Sequence, residues 1–325
     1  MKKFLIYVLA AMLAAAGLAA CAPANTENTS PSAVDGGRLS VVTTIFPPYD
    51  FARAVAGGLA DVTMLIDPGA EVHSFDPTTE DIMKIQNSDV FIYTGGENDA
   101  WVDTVLESMD TDGKLIVRMM DAVTPLVEET VEGMQEEEEE EEESAGLEVL
   151  EYDEHIWTSP RNAILIVDAI ADALGGADSA NAEAYKKNAA DYTAKIQTVD
   201  DRIRQIVDDA PSKLILVADR FPFRYLAEEF GLDYYAAFSG CSAESDVSAA
   251  TLAYLIDRVK QNNIPYVYHI EFSNKQVATA VCEQTGADML LLHSCHNVTK
   301  DDFAAGATYV TLMEQNADNL EKGLE

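Results

Sequence analysis

Basic residues are scarce in this chain: 21 Lys and Arg stand against 57 Asp and Glu, for a formal net charge of -36 at neutral pH. A phosphate-binding surface needs a cationic footprint, so this balance excludes nucleic acid as a partner. It favours a cation instead, because an acidic face raises the local concentration of positive ions. Histidine is scarce too, with five in 325 residues. Neither a His-Glu-x-x-His element nor a Gly-x-Ser-x-Gly element occurs. The motifs that embody metalloprotease and serine-hydrolase chemistry are therefore missing, and the chain is not expected to be an enzyme. Beyond the N-terminal segment no stretch is long and apolar enough to cross a bilayer.

That N-terminal segment reads as a targeting signal. Lys2 and Lys3 precede an apolar run from Phe4 to Ala20, which ends in Leu18-Ala19-Ala20-Cys21. The run is barely long enough to span a membrane, and its shape is that of a secretory signal peptide over residues 1–20. A Cys directly after small residues resembles a bacterial lipoprotein cleavage site, with Cys21 as the lipidated first residue. The mature protein is then expected on the extracytoplasmic side of the cell membrane, held by its lipid. Residues 21–38, rich in Ala, Asn, Thr, Ser, Pro and Gly, read as a flexible tether. Of the four cysteines, Cys241, Cys282 and Cys295 remain. An oxidising compartment allows one disulfide, expected between Cys241 and Cys295, each in a loop after a predicted strand.

From residue 39 onward, short apolar strands alternate with amphipathic helices, which implies an α/β fold with mostly parallel sheets. Residues 39–175 make a first lobe. It is interrupted by an acidic loop, expected to be disordered over about 128–148, that holds the run Glu136–Glu143. Residues 176–210 form a long helix whose apolar positions Tyr185, Ala189, Tyr192, Ile196, Val199, Ile203 and Ile206 recur every three or four residues. Some 30 helical residues span about 45 Å, enough to act as a backbone between lobes. Residues 211–325 repeat the βα pattern as a second lobe, closing with a helix over Asp302–Asn319. Ligands of such sheets sit beyond the carboxyl ends of strands, so the expected site is the cleft between lobes.

The histidines fall near that edge. His73 lies in the loop after the second strand and His155 in the segment Asp153-Glu154-His155-Ile156-Trp157, while His293 ends the last predicted strand. Neutral imidazole is the commonest transition-metal ligand.

In order and spacing the chain resembles the metal-binding subunits of zinc and manganese ABC importers. The resemblance rests on Val42-Thr43-Thr44-Ile45-Phe46-Pro47, the Gly69-to-Pro77 segment, Asp153-Glu154-His155-Ile156-Trp157, Phe223-Arg224-Tyr225-Leu226, Glu271-Phe272-Ser273 and Thr285-Gly286-Ala287. It implies two lobes joined by a rigid helix, with His73 and His155 as the first two metal ligands. It also exposes two departures. Arg220 stands where the third ligand is expected, and an arginine cannot ligate a metal. His293 stands at the fourth position, where a carboxylate is usual.

The site drawn from the residues is therefore His73, His155 and His293, completed by Glu271 or by water. Glu271 is alternatively a partner of Arg220, and either His269 or His296 is able to replace it. Three imidazoles favour zinc over manganese, which prefers oxygen ligands. The expected function is capture of a divalent transition metal for delivery to a membrane ABC permease, by a monomer. The rival readings are a surface metal-dependent hydrolase and an adhesin built on the same scaffold.

Overall fold

The computed structural model describes residues 38–72, 75–135, 151–242 and 246–325. The signal segment, Cys21, most of the tether, His73 and the Glu136–Glu143 run lie outside the described residues.

Two four-stranded sheets, parallel throughout, share one winding pattern. In the first lobe β1 (Leu39–Thr43), β2 (Ala60–Met64), β3 (Val90–Tyr93) and β4 (Leu115–Arg118) take the order β2-β1-β3-β4. In the second, β5 (Leu214–Arg220), β6 (Asp233–Phe238), β7 (Tyr266–His269) and β8 (Asp288–Leu291) take the order β6-β5-β7-β8. Each order reverses beside its first strand, and that switch is where a doubly wound sheet leaves a crevice at its carboxyl edge. The expected α/β architecture is the one observed.

Helices α1 (Phe46–Ala56), α2 (Thr79–Asn87), α3 (Ala100–Glu107) and α4 (Pro160–Ala177) cover the first sheet. The helix α5 (Ala182–Asp209) follows, and α6 (Arg224–Phe230), α7 (Ala249–Asn262), α8 (Gln276–Thr285), α9 (Lys300–Ala305) and α10 (Tyr309–Leu324) belong to the second lobe. Helix starts follow local chemistry. Pro160 opens α4, and the Ser159 hydroxyl accepts the Asn162 N–H at 3.1 Å.

Alternate strand residues face different layers, as the pleat requires. Val42, Phe91 and Tyr93 pack under α2 and α3 with Ile85, Val102 and Val105. Val41 and Ile92 face the other way, into a cluster that continues through Tyr192 and Ile196 of α5 to Ile215, Tyr309 and Leu320. The long helix is thus a shared core between the lobes rather than a free link. Its buried face holds the expected residues except Ile206, which is half-buried while Val207 turns inward. At one end Asp50, wholly buried, accepts hydrogen bonds from Tyr192 of α5, from the Tyr309 backbone at 2.9 Å and from Arg53 at 2.7 Å.

Three local expectations are corrected. The helix foreseen over 302–319 is two, because Gly306 takes φ +82° and ends α9, and the Thr308–Thr311 capping box starts α10. Residues 128–135, foreseen as the start of the acidic loop, are seated: Glu128 N–H donates to the Glu151 carbonyl at 2.9 Å, and Gln135 N–H to the Ala237 carbonyl at 2.8 Å. Strand β8 stops at Leu291, short of His293. Among the described residues no helix is long and apolar enough to cross a membrane.

Candidate metal centre

Chain segments that follow β2, β7 and β8 meet the segment 151–158 between the lobes. The last of these is locked from several sides. Asp153 N–H donates to the Leu126 carbonyl at 3.0 Å, and the Tyr225 hydroxyl donates to the Asp153 carbonyl at 2.7 Å. One carboxylate oxygen of Asp153 then takes the backbone N–H of His155 at 2.8 Å and faces its Nδ1 at 3.2 Å. A carboxylate on Nδ1 fixes the tautomer and presents Nε2, the orientation a ligating imidazole needs. Burial pushes the His155 pKa down, but the charges of Asp153, Glu154 and Glu128 outweigh it and leave the pKa raised.

The second imidazole comes from the turn after β8. Glu271, just past β7, accepts from the Ser294 backbone N–H at 2.8 Å and from the Ser294 hydroxyl. Cys295 then takes left-handed backbone, φ +61°, uncommon for a residue with a side chain. The Ser294 hydroxyl receives the His296 N–H at 3.2 Å. The Asn297 amide spans to the first lobe, donating to the carbonyls of Asp67 at 3.0 Å and Ala70 at 2.9 Å. From below, the indole N–H of the fully buried Trp157 holds the Ser294 carbonyl at 2.8 Å.

The outcome is a buried cluster of Glu154, His155 and His296, with one potential ligand atom from each, all within 4.8 Å of one another. Glu154 is steadied by Asn98, whose backbone N–H reaches its carboxylate at 3.1 Å and whose side-chain amide reaches the other oxygen. The cavity beside them is small, about 30 Å³. That is room for an ion and a water molecule but not for an organic substrate. Among the described residues its wall carries two imidazoles (His155 and His296), two carboxylates (Glu71 and Glu271) and one guanidinium (Arg220). Two imidazoles and carboxylates converging on so small a cavity suit a divalent metal.

The expected residues meet different fates. His155 and Glu271 reach the cavity. His293 does not line it: its Nδ1 accepts the Cys295 N–H at 2.9 Å, and its backbone N–H and carbonyl are both bonded to the Asn316 amide at 2.7 Å. The turn that points His296 inward turns His293 into the protein. His269 is likewise off the wall, with Nδ1 2.8 Å from the Ile270 carbonyl and a pKa lowered by burial. Arg220 does not pair with Glu271; its Nη1 lies 3.4 Å from the Ser242 carbonyl. The expected Cys241–Cys295 disulfide is not formed, since both are free thiols. Cys295 is sealed in the core against the His293 carbonyl, whereas Cys241 is half-buried, its N–H on Glu128. Sequence reasoning named His296 only as a substitute and overlooked Glu154, although both flank recognisable site segments.

Paired parallel-sheet lobes fused by a long helix, with a histidine-lined cavity between them, are the architecture of the two-lobed metal-uptake proteins among solved structures. The profile of the family described as zinc-uptake complex component A, periplasmic, matches residues 41–323, and the chain belongs to that family. The zinc-binding lipoprotein AdcA of Streptococcus pneumoniae is 33% identical over 322 residues, covering 99% of this chain and 61% of its own length. The high-affinity zinc uptake system protein ZnuA of Bacillus subtilis is 31% identical over 307 residues, covering 94% of this chain and 93% of its own. Among solved structures, the Zn(II)-bound ZnuA-like domain of the pneumococcal AdcA superposes with a TM-score of 0.72 at 31% identity, over 89% of this chain and 99% of the domain. The metal-dependent lipoprotein YcdH of Bacillus subtilis gives 0.74 at 30%, over 88% and 99%. The chain spans about three-fifths of the length of the pneumococcal AdcA sequence it matches.

Proposed function

We propose that this protein captures a divalent transition metal, zinc, between its lobes and delivers it to the membrane permease of an ABC importer. The observation that carries the reading is the convergence of buried His155, His296 and Glu154 within 4.8 Å. Imidazole-rich coordination favours zinc over manganese, and the relatives at 31–33% identity are named for zinc. His155, His296 and Glu154 serve as ligands, joined by His73, which follows the cavity-lining Val72 in sequence. Glu271 stays on the wall and holds Ser294, and with it the turn that carries His296. No bond is made or broken in the metal's passage, so the protein acts as a carrier and not an enzyme. All ligands come from one chain, which makes a monomer sufficient. Residues 1–20 serve as signal peptide, Cys21 carries the lipid and residues 21–38 hold the body off the extracytoplasmic membrane face. The core shared through α5 keeps lobe motion small, so loading is signalled by local rearrangement at the cavity.

The test is elemental mass spectrometry of the mature protein after dialysis against mixed divalent metals. One zinc per chain is expected, lost in His155→Ala and His296→Ala. Absence of bound metal, or a chain that takes manganese in preference to zinc, overturns the assignment.

A further inference from the structure

One member of the cavity wall does not suit a cation site. Arg220, the last residue of β5, lines the cavity with Glu71, Glu271, His155 and His296. A guanidinium stays protonated and offers donors only, so it cannot ligate the cargo. Nor is it locked in place as a structural arginine would be. Its side-chain hydrogen bond, to the Ser242 carbonyl, is long at 3.4 Å, and among the described residues it forms no ion pair. Among the described residues, Arg220 is the only permanent positive charge on the cavity wall; its contact is long, and it shares the cavity with Glu71 and Glu271. One of these, Glu271, also fixes the turn that brings His296 inward.

We propose that Arg220 is a tethered rival of the metal, a built-in cation whose charge sets how tightly the cargo is held. The inference rests on the function proposed above. In the metal-free cavity the guanidinium offsets the field of Glu71 and Glu271 at a distance. A divalent ion entering the same small space takes over that field and meets the guanidinium as a like charge. The repulsion lowers affinity and drives Arg220 from its long contact with Ser242. A carrier that must give up its cargo gains from such a cation, because it speeds release without removing a ligand. The effect acts through charge rather than shape, which makes it separable from packing.

The experiment is a zinc titration of the mature protein against a chromophoric chelator, with Arg220→Met and Arg220→Lys beside the wild type. Methionine keeps much of the side chain's length and removes the charge; lysine keeps the charge. Arg220→Met is expected to bind zinc about tenfold tighter or more, since a like charge on the wall of so small a cavity has at least that effect. Its dissociation is expected to slow in proportion, with Arg220→Lys staying close to wild type. If Arg220→Met fails to fold, Arg220→Gln carries the same expectation. An uncharged variant that binds no tighter than wild type, or Met and Lys variants that shift alike, overturns the inference and leaves the carrier function standing. A wild type that takes up no zinc fails the function itself.

Discussion

The rings of His155 and His296 stand edge to face, with centroids 5.1 Å apart and planes at 90°. They arrive from segments distant in sequence, and Trp157 ties them together. Its ring lies 5.1 Å from that of His296, and its N–H holds the Ser294 carbonyl at 2.8 Å. The Tyr309 hydroxyl fixes the Trp157 carbonyl at 2.8 Å in turn, so a helix of the second lobe supports both imidazoles.

His293 and His296 are three residues apart and should behave in opposite ways. His296→Ala removes a proposed ligand and is expected to abolish stoichiometric zinc while leaving thermal stability near wild type. His293→Ala removes the acceptor of the Cys295 N–H and should cost about 1–3 kcal/mol of stability, the range for stranding a buried donor. It should still retain zinc. Metal content and thermal midpoint, measured on both variants, decide the assignment; loss of zinc with His293→Ala alone reverses it.

Asp153 acts through His155. Asp153→Asn keeps the shape but removes the charge facing Nδ1 at 3.2 Å. A change in a partner of this kind weakens metal affinity by about 10- to 100-fold. Competition against a chelator measures it, and affinity equal to wild type would show that His155 needs no orienting charge.

The raised pKa of His155 gives two opposite pH dependences. Burial lowers it, but Asp153, Glu154 and Glu128 together raise it above the ordinary value. A folded-state pKa above the unfolded one stabilises the metal-free protein fully below the unfolded pKa of about 6.5, and that contribution is lost as pH rises through the folded pKa. Zinc requires neutral imidazole, so its affinity should strengthen as pH rises through the same value. Thermal midpoints in chelator and zinc affinities, taken from about pH 5 to about pH 9, should show these opposing trends. In Asp153→Asn both transitions should move to lower pH.

Asn297 joins the two lobes at the cavity. Asn297→Ala removes the bonds to the Asp67 and Ala70 carbonyls. Two hydrogen bonds of this type together contribute about 1–3 kcal/mol. Amide exchange across residues 67–72 should accelerate by about tenfold, the lower part of that range, and zinc should dissociate faster. Unchanged exchange in this segment would mean that other contacts hold it.

The sequence by itself determined whatever depends on neighbouring residues. Alternating apolar runs and helical spacing marked parallel α/β lobes, and the repeated inward positions from Tyr185 to Ile203 marked the helix between them, because both signals have short periods. The residues around His155 also marked a candidate metal site. Tertiary structure alone decided which histidine of the last turn enters the cavity. His293 read as the end of a strand because the apolar run reaches it, yet β8 stops at Leu291 and Asn316 of α10 captures the His293 backbone. Glu271 from beyond β7 then pins Ser294, Cys295 takes the left-handed conformation, and His296 turns inward. Glu271 and Asn316 each stand more than twenty residues from the turn they shape, and Trp157 is farther still. Local periodicity carries no information about contacts at such separations, which form only once the lobes have packed against α5.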